Sequence, residues 1–232
     1  MKTIGMIGGM SWESSSEYYR IINETVKAKL GVLHSAKCVM YSVDFSEIEG
    51  LQRQGNWDKA TQLMIEAAQH VEAGGADFVI ICTNTMHKMA DDVQKNINIP
   101  LLHIADATAE VIKARGLHKI GLLGTKFTME EDFYRGRLVE KHGLEVIIPQ
   151  ADDRAIVHRV IYEELVLGHI NPASRAEYKR IIETLIEAGA QGIILGCTEI
   201  GLLVKDEDSR APLFDTTRIH AVKAVEYALA DR

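Results

Sequence analysis

Short apolar runs and amphipathic stretches alternate along the whole chain. Runs rich in Val, Ile and Leu predict strands over 3–7, 37–42, 78–82, 101–103, 119–123, 145–148, 192–195 and 212–214. Between them, apolar residues recur at helical spacing near 13–30, 57–73, 88–96, 105–114, 130–142, 153–167, 174–188 and 219–230. Gly74-Gly75, Gly116 and Gly143 stand where helices should stop. The strands are apolar throughout rather than alternating, so both faces of each are expected to be covered. Strand–helix alternation of this kind predicts an α/β fold with parallel sheets.

The pattern also repeats. Gly75-Ala76 followed by Phe78-Val79-Ile80-Ile81-Cys82-Thr83-Asn84-Thr85 is matched 114 positions later by Gly189-Ala190 and Gly192-Ile193-Ile194-Leu195-Gly196-Cys197-Thr198-Glu199. Ile4-Gly5-Met6-Ile7-Gly8 is echoed by Ile120-Gly121-Leu122-Leu123-Gly124, and Ile99-Pro100-Leu101-Leu102 by Ala211-Pro212-Leu213-Phe214. The period is too long for a solenoid, whose repeats run to about 50 residues. Two pseudo-symmetric α/β domains are expected, their strand ends facing a central cleft. The boundaries read as 1–103 plus 216–232 for the first domain, with the C-terminal helix returning to it, and 104–215 for the second. No Gly-, Pro- or Ser-rich linker separates them.

Composition narrows the classes. The chain has 232 residues and a net charge of −7, which gives no reason to expect nucleic acid or an anionic membrane as partner. No signal peptide and no run of about 18 apolar residues is visible. Three cysteines without a disulfide framework fit a reducing compartment, and the expected location is the cytoplasm. A small-molecule ligand is the expected partner; a homodimer stays open.

Candidate chemistry sits at the ends of the repeated strands. Cys197 follows a buried strand and precedes a helix, where backbone N–H groups and the helix dipole favour thiolate over thiol. Thr83 is its counterpart in the first half. It is too weak an acid to supply a resting alkoxide, but it can orient a ligand, relay a proton or cap a helix. Asn84, Thr85, Thr198 and Glu199 complete a polar rim suited to a carboxylate. Gly8-Gly9-Met10-Ser11 is a strand-to-helix turn that admits close backbone approach, without the G-x-G-x-x-G spacing of a dinucleotide site. No Walker A sequence, CxxC pair or histidine ligand spacing occurs, so neither nucleotide nor metal is expected. Cys38 and Cys82 read as core residues, Cys82 pointing to the opposite strand face from Thr83. His87 and His103 read as packing or surface residues, His87 being the better candidate for tuning the site.

Over essentially its whole length the chain resembles the cofactor-independent aspartate/glutamate racemases. The resemblance is carried by Ile4-Gly5-Met6-Ile7-Gly8-Gly9-Met10, Cys82-Thr83-Asn84-Thr85-Met86-His87 and Gly196-Cys197-Thr198-Glu199. Glu199 is similar to the aspartate racemase branch; glutamate racemases of the cell-wall pathway usually carry histidine there. The resemblance implies α-proton abstraction and return without pyridoxal phosphate or any other cofactor. It also implies two facing cysteines, the C-terminal one serving the L-enantiomer. Here the first of that pair falls on Thr83. Thr83 and Cys197 are thus the expected catalytic residues, and Met10, Gln52, Asn84, Thr85, Thr198 and Glu199 the expected substrate-binding residues, Glu199 as the holder of an ammonium group. Val166 stands where aspartate racemases tend to have lysine, and Gln52 or Arg53 where the family has an arginine. L-Aspartate or L-glutamate is the expected substrate, with a wider range, such as homoserine, allowed by these departures. The alternatives are a single-cysteine decarboxylase or isomerase of a small carboxylate and a non-catalytic amino-acid sensor.

Overall fold

The computed structural model describes residues 1–31 and 33–230. The chain divides into two compact units, Met1–Ile104 with the segment from His220 onward, and Ala105–Ile219. Each unit is built on its own parallel sheet.

In the first unit the order is β1 (Ile4–Gly8), α1 (Trp12–Leu30), β2 (Cys38–Ser42), α2 (Phe45–Gln54), α3 (Trp57–Ala73), β3 (Phe78–Ile81), a 3-10 turn at Thr85–Met89 and α4 (Ala90–Lys95). The sheet order is β2-β1-β3, extended by a single parallel bridge from Val79 to Leu101. β1 and β3 are apolar on both faces because both faces are covered, whereas the edge strand β2 is half-buried to exposed. Ile7, Val79 and Ile81 join a core with α2 and α3. Ile4, Met6, Phe78, Ile80 and Cys82 join another with α1 and the closing helix. Each such fully buried side chain contributes about 1.5–3 kcal/mol of transfer free energy.

The second unit repeats the plan. α5 (Ile104–Ala114) leads into it, followed by β4 (Lys119–Gly124), α6 (Lys126–Glu130), α7 (Asp132–Glu140), β5 (Glu145–Ile147) and α8 (Ala151–Glu163). A 3-10 turn at Leu165–Leu167, α9 (Pro172–Glu187), β6 (Ile193–Gly196), α10 (Ile200–Leu203) and β7 (Leu213–Asp215) complete it before α11 (Thr216–Leu229). The order β5-β4-β6-β7 is that of the first sheet with a full fourth strand in place of the Leu101 bridge.

Four expectations need correction. The strand foreseen over 101–103 is one bridge, because α5 begins at Ile104 and leaves no length for a ladder. The helix over 130–142 is shortened to α7 (Asp132–Glu140), and α6 (Lys126–Glu130), not foreseen, precedes it across Glu131, whose dihedrals are extended (φ −94°, ψ 153°). The helix over 88–96 is entered through a 3-10 turn, and that over 153–167 ends at Glu163 in another. α2 was not foreseen, although Asp44 caps it (Ser46 N to Asp44 Oδ1, 3.0 Å) and Ile48 and Leu51 supply its buried face.

Asp106, in the first turn of α5, holds α7 to it. It accepts from Arg137 Nε and Nη2 (both 2.8 Å), Lys141 Nζ (2.6 Å) and His142 Nε2 (2.7 Å). Burial raises its pKa, but bonds from Arg137, His142 and Lys141 more than offset this and hold it far below the usual carboxylate range. Such a depressed folded-state value gives stability that is fully present above the unfolded value of about 3.9 and is lost as pH falls through the folded one. Asp106→Asn is therefore expected to cost about 1–3 kcal/mol at neutral pH, discounted for the exposure of Lys141, and to flatten the acid limb of stability. Urea unfolding at pH 7 and pH 3 measures both.

Candidate active site

In each sheet the order reverses beside the first strand of the unit. The chain leaves β1 for β2 on one side and reaches β3 on the other; β4, β5 and β6 do the same. Connections leaving the C-terminal ends of such a strand pair diverge, and a crevice opens between them. In the first unit this switch point carries Gly8-Gly9-Met10-Ser11 and Cys82-Thr83-Asn84-Thr85; in the second it carries Gly124-Thr125 and Gly196-Cys197-Thr198-Glu199.

The β1 turn is tightly built. Gly9 has φ +92°, and a Cβ there would strike the Val43 backbone. Its N–H donates to Ser15 Oγ (2.8 Å), and Ser11 Oγ caps α1 by accepting from Ser14 N (3.3 Å). Met10 is buried in the core shared with α2 and α3. Gln52 is also buried and donates from Nε2 to Met86 Sδ (3.1 Å), whereas the Arg53 side chain is 75 % exposed. Gln52, not Arg53, is thus the inward-facing member of that pair.

Beyond β3, Thr83 is half-buried and Asn84 and Thr85 are buried. Cys82 lies in the core with Phe78 and Ile80, as strand alternation requires, and burial pushes its thiol pKa up strongly. His87 and His103 are buried too, which settles them as interior residues.

In the second unit the two glycines at the switch point let backbones approach. A Cβ on Gly124 would stand 2.9 Å from Gly196 O, and one on Gly196 2.7 Å from Leu123 O. Thr125 caps α6 by accepting from Thr128 N (3.3 Å), with the two hydroxyls 3.2 Å apart. Thr216 Oγ1 donates to Leu195 O (2.8 Å) and anchors the start of α11 to β6. Val166, in the 3-10 turn after α8, belongs to a segment that packs on α10.

Cys197 is partly exposed, and its Sγ donates to Glu199 Oε2 at 3.0 Å. Thr198 Oγ1 donates to the same oxygen at 2.7 Å. The thiol pKa lies well above its ordinary value: burial is the main cause, followed by the Glu199 charge and its hydrogen bond. Backbone N–H groups of Glu199 and Thr198 do oppose the rise. The expected thiolate is therefore corrected to a thiol. The N–H groups are present, but α10 has only four residues, and desolvation beside a carboxylate outweighs them. Glu199, expected to hold an ammonium group, has Oε2 committed to its own loop.

The expected residues thus gather in two sets: Met10, Gln52, Thr83, Asn84 and Thr85 in the first unit, and Cys197, Thr198 and Glu199 in the second. Thr125 and Thr128 were not foreseen. Extending the repeat by one residue, from Gly8-Gly9 to Gly124-Thr125, would have found the first of them. Among the described residues, no group of three or more His, Cys, Asp or Glu could hold a metal ion, and no helix is long and apolar enough to cross a membrane.

A family model described as Asp/Glu/Hydantoin racemase matches residues 7–224. The chain is 59% identical to a Yersinia pestis protein provisionally described as an Asp/Glu racemase, whose crystal structure matches with a TM-score of 0.93 over 99% of this chain and all of that one. An aspartate racemase homologue from Pyrococcus horikoshii OT3 is 38% identical, with a TM-score of 0.85 over 98% of this chain and 99% of the other. The broad specificity amino-acid racemase RacX of Bacillus subtilis is 26% identical over 176 residues, 75% of this chain and 74% of the relative. Matched along nearly all of its length, with the repeated strand ends and their polar rims inside the match, the chain belongs to the Asp/Glu/hydantoin racemase family.

Proposed function

We propose that the protein is a cofactor-independent amino-acid racemase in which Cys197 removes the α-proton of an L-amino acid and Thr83 serves the opposite face. The observation that carries this is the 3.0 Å bond from Cys197 Sγ to Glu199 Oε2 at the C-terminal end of β6. A thiol is not a base. A carboxylate accepting its proton makes it one, provided the proton can cross. Glu199 thus becomes the acceptor that converts Cys197 into thiolate when substrate displaces water, rather than the holder of an ammonium group.

The steps balance with three protons. Glu199 takes the Cys197 thiol proton. The thiolate takes the α-proton, and its electron pair moves into the substrate carboxylate as a dianionic enolate. Thr83, directly or through a water that replaces its proton at once, returns a proton to the other face, and Glu199 then gives up the proton it took to solvent, so every group regains its starting state. Asn84 and Thr85, with the N–H groups at the strand ends, are the donors we assign to the charge that develops on the carboxylate, the Thr198 hydroxyl being committed to Glu199 Oε2. A hydroxyl is a poorer acid and base than a thiol, so the two directions should start at unequal rates, L faster than D. The overall equilibrium between enantiomers still lies near one.

Aspartate and glutamate are the first substrates to try. The Pyrococcus relative is an aspartate racemase homologue, while RacX is of broad specificity. Val166 gives no cation for a distal carboxylate, so homoserine belongs in the same set. The test is proton NMR of L- and D-aspartate, glutamate and homoserine in D2O with the protein. Loss of the α-proton signal, faster from L, supports the racemase. Saturable binding without exchange points to a sensor, and loss of carbon dioxide to a decarboxylase. Thr83→Cys is expected to speed exchange from the D-form by about tenfold or more, since it supplies a thiol where a hydroxyl stood.

A further inference from the structure

His87 is 2 % exposed, and both of its ring nitrogens bond to backbone. Nδ1 lies 2.7 Å from Thr83 O, and Nε2 accepts from Ile104 N at 3.2 Å. A carbonyl oxygen only accepts, so Nδ1 carries the proton; a backbone N–H only donates, so Nε2 is bare. The two partners therefore fix one neutral tautomer, and an imidazolium cannot satisfy both. Two further imidazole rings pack beside it. His103 lies 4.6 Å and His220 5.7 Å away between centroids. His220 sits between Tyr18 Oη and Leu102 O, each at 2.9 Å, and burial lowers its pKa to about 4.

The two backbone partners are not equivalent places. Thr83 is the first residue after the apolar core of β3, and its carbonyl orientation sets the Thr83–Asn84 peptide plane. Ile104 opens α5 and is the last residue of the first unit before the chain passes into the second. A bond to Thr83 alone would be a local turn contact. The second bond, seventeen residues away, makes the ring a strut between the strand end and the start of a helix.

We propose that His87 is a positioning residue that holds the Thr83 hydroxyl and Asn84 side chain in their working directions by bracing the Thr83–Asn84 peptide against α5. The proposal rests on the assignment of Thr83 to the face opposite Cys197. Its signature is one-sided. Losing the strut impairs the Thr83 half-reaction and spares proton removal by Cys197.

Two conservative substitutions separate the bonds. His87→Asn keeps an N–H donor where Nδ1 stood and loses the acceptor for Ile104. His87→Gln offers an amide oxygen where Nε2 stood and loses the bond to Thr83. The experiment measures α-proton exchange from L- and D-aspartate, glutamate and homoserine in D2O, net racemisation and melting temperature for wild type and both variants. Exchange from D and net racemisation should fall at least about tenfold in His87→Gln and less in His87→Asn, with exchange from L changed less than about threefold. Equal losses from L and D, or identical behaviour of the two variants, overturn the proposal in favour of a packing role. A wild type without exchange removes the racemase assignment itself, which is a distinct result. Should His87→Gln fail to fold, nitrogen-15 NMR of the wild-type ring decides. A neutral Nδ1–H tautomer near pH 7 supports the strut, and Nε2–H or imidazolium overturns it.

Discussion

Cys197→Ser is expected to lower the rate of α-proton exchange from the L-enantiomer by about a thousandfold or more. The substitution changes one atom at the end of β6. A serine hydroxyl can keep the bond to Glu199 Oε2 that the thiol makes, so the loop and the fold have no reason to change. What changes is acidity. The thiol is already pushed well above its ordinary pKa by burial and by Glu199, and a hydroxyl in the same place would start several units higher. It would almost never reach the anionic form that attacks the α-proton. Proton NMR in D2O, beside thermal unfolding to show an unchanged fold, measures the effect. Exchange retained within tenfold of wild type would remove Cys197 from the chemistry and leave it as a packing residue.

Glu199→Gln should be nearly as damaging, by about a hundredfold at neutral pH, and its pH dependence is more telling than its size. Two effects oppose each other. Removing the carboxylate charge makes the Cys197 thiolate easier to form, because that charge is the second cause of the raised thiol pKa. Removing the acceptor also leaves the thiol proton no internal destination. If transfer to Glu199 dominates, the variant must ionise Cys197 to solvent. Its rate should then climb about tenfold per pH unit through the weakly alkaline range, while wild type, in which the pair moves one proton as a unit, stays flat. A variant as fast as wild type, or faster, would mean that Glu199 only sets the local field.

Much of this arrangement can be read from the residues. The Gly-Ala turn and apolar run before Thr83 and before Cys197 placed both at strand ends, because a strand buried on both faces has no other sequence signature. The fold plan followed from the same repeat. The missed elements are those whose signal is short. α2 has only Ile48 and Leu51 as buried apolar residues, with Gly50 between them weakening the helical pattern. The break at Glu131 and the single bridge at Leu101 depend on tertiary packing, not on local preference. The ionisation of Cys197 was unreadable for a different reason. The sequence shows a helix start after the cysteine, which argues for thiolate. Burial of the sulfur, and after it the side chain two residues on that reaches back to it, reverse the sign. His87 was legible as a neighbour of Thr83 but not as a strut, since its second partner lies seventeen residues away.

α11 starts beside β6 in the second unit and finishes in the core of the first, where Ala221, Ala224, Val225 and Ala228 pack with Tyr18, Ile22 and Phe78. The second unit is therefore one uninterrupted stretch of chain, while the first is split between the two ends of the sequence. During synthesis the ribosome releases everything the second unit needs before it releases the helix that closes the first. The second unit can be folded while α1 is the only helix over that face of the N-terminal sheet, and part of the apolar surface of α1, β1 and β3 stays uncovered until the segment from His220 onward is made.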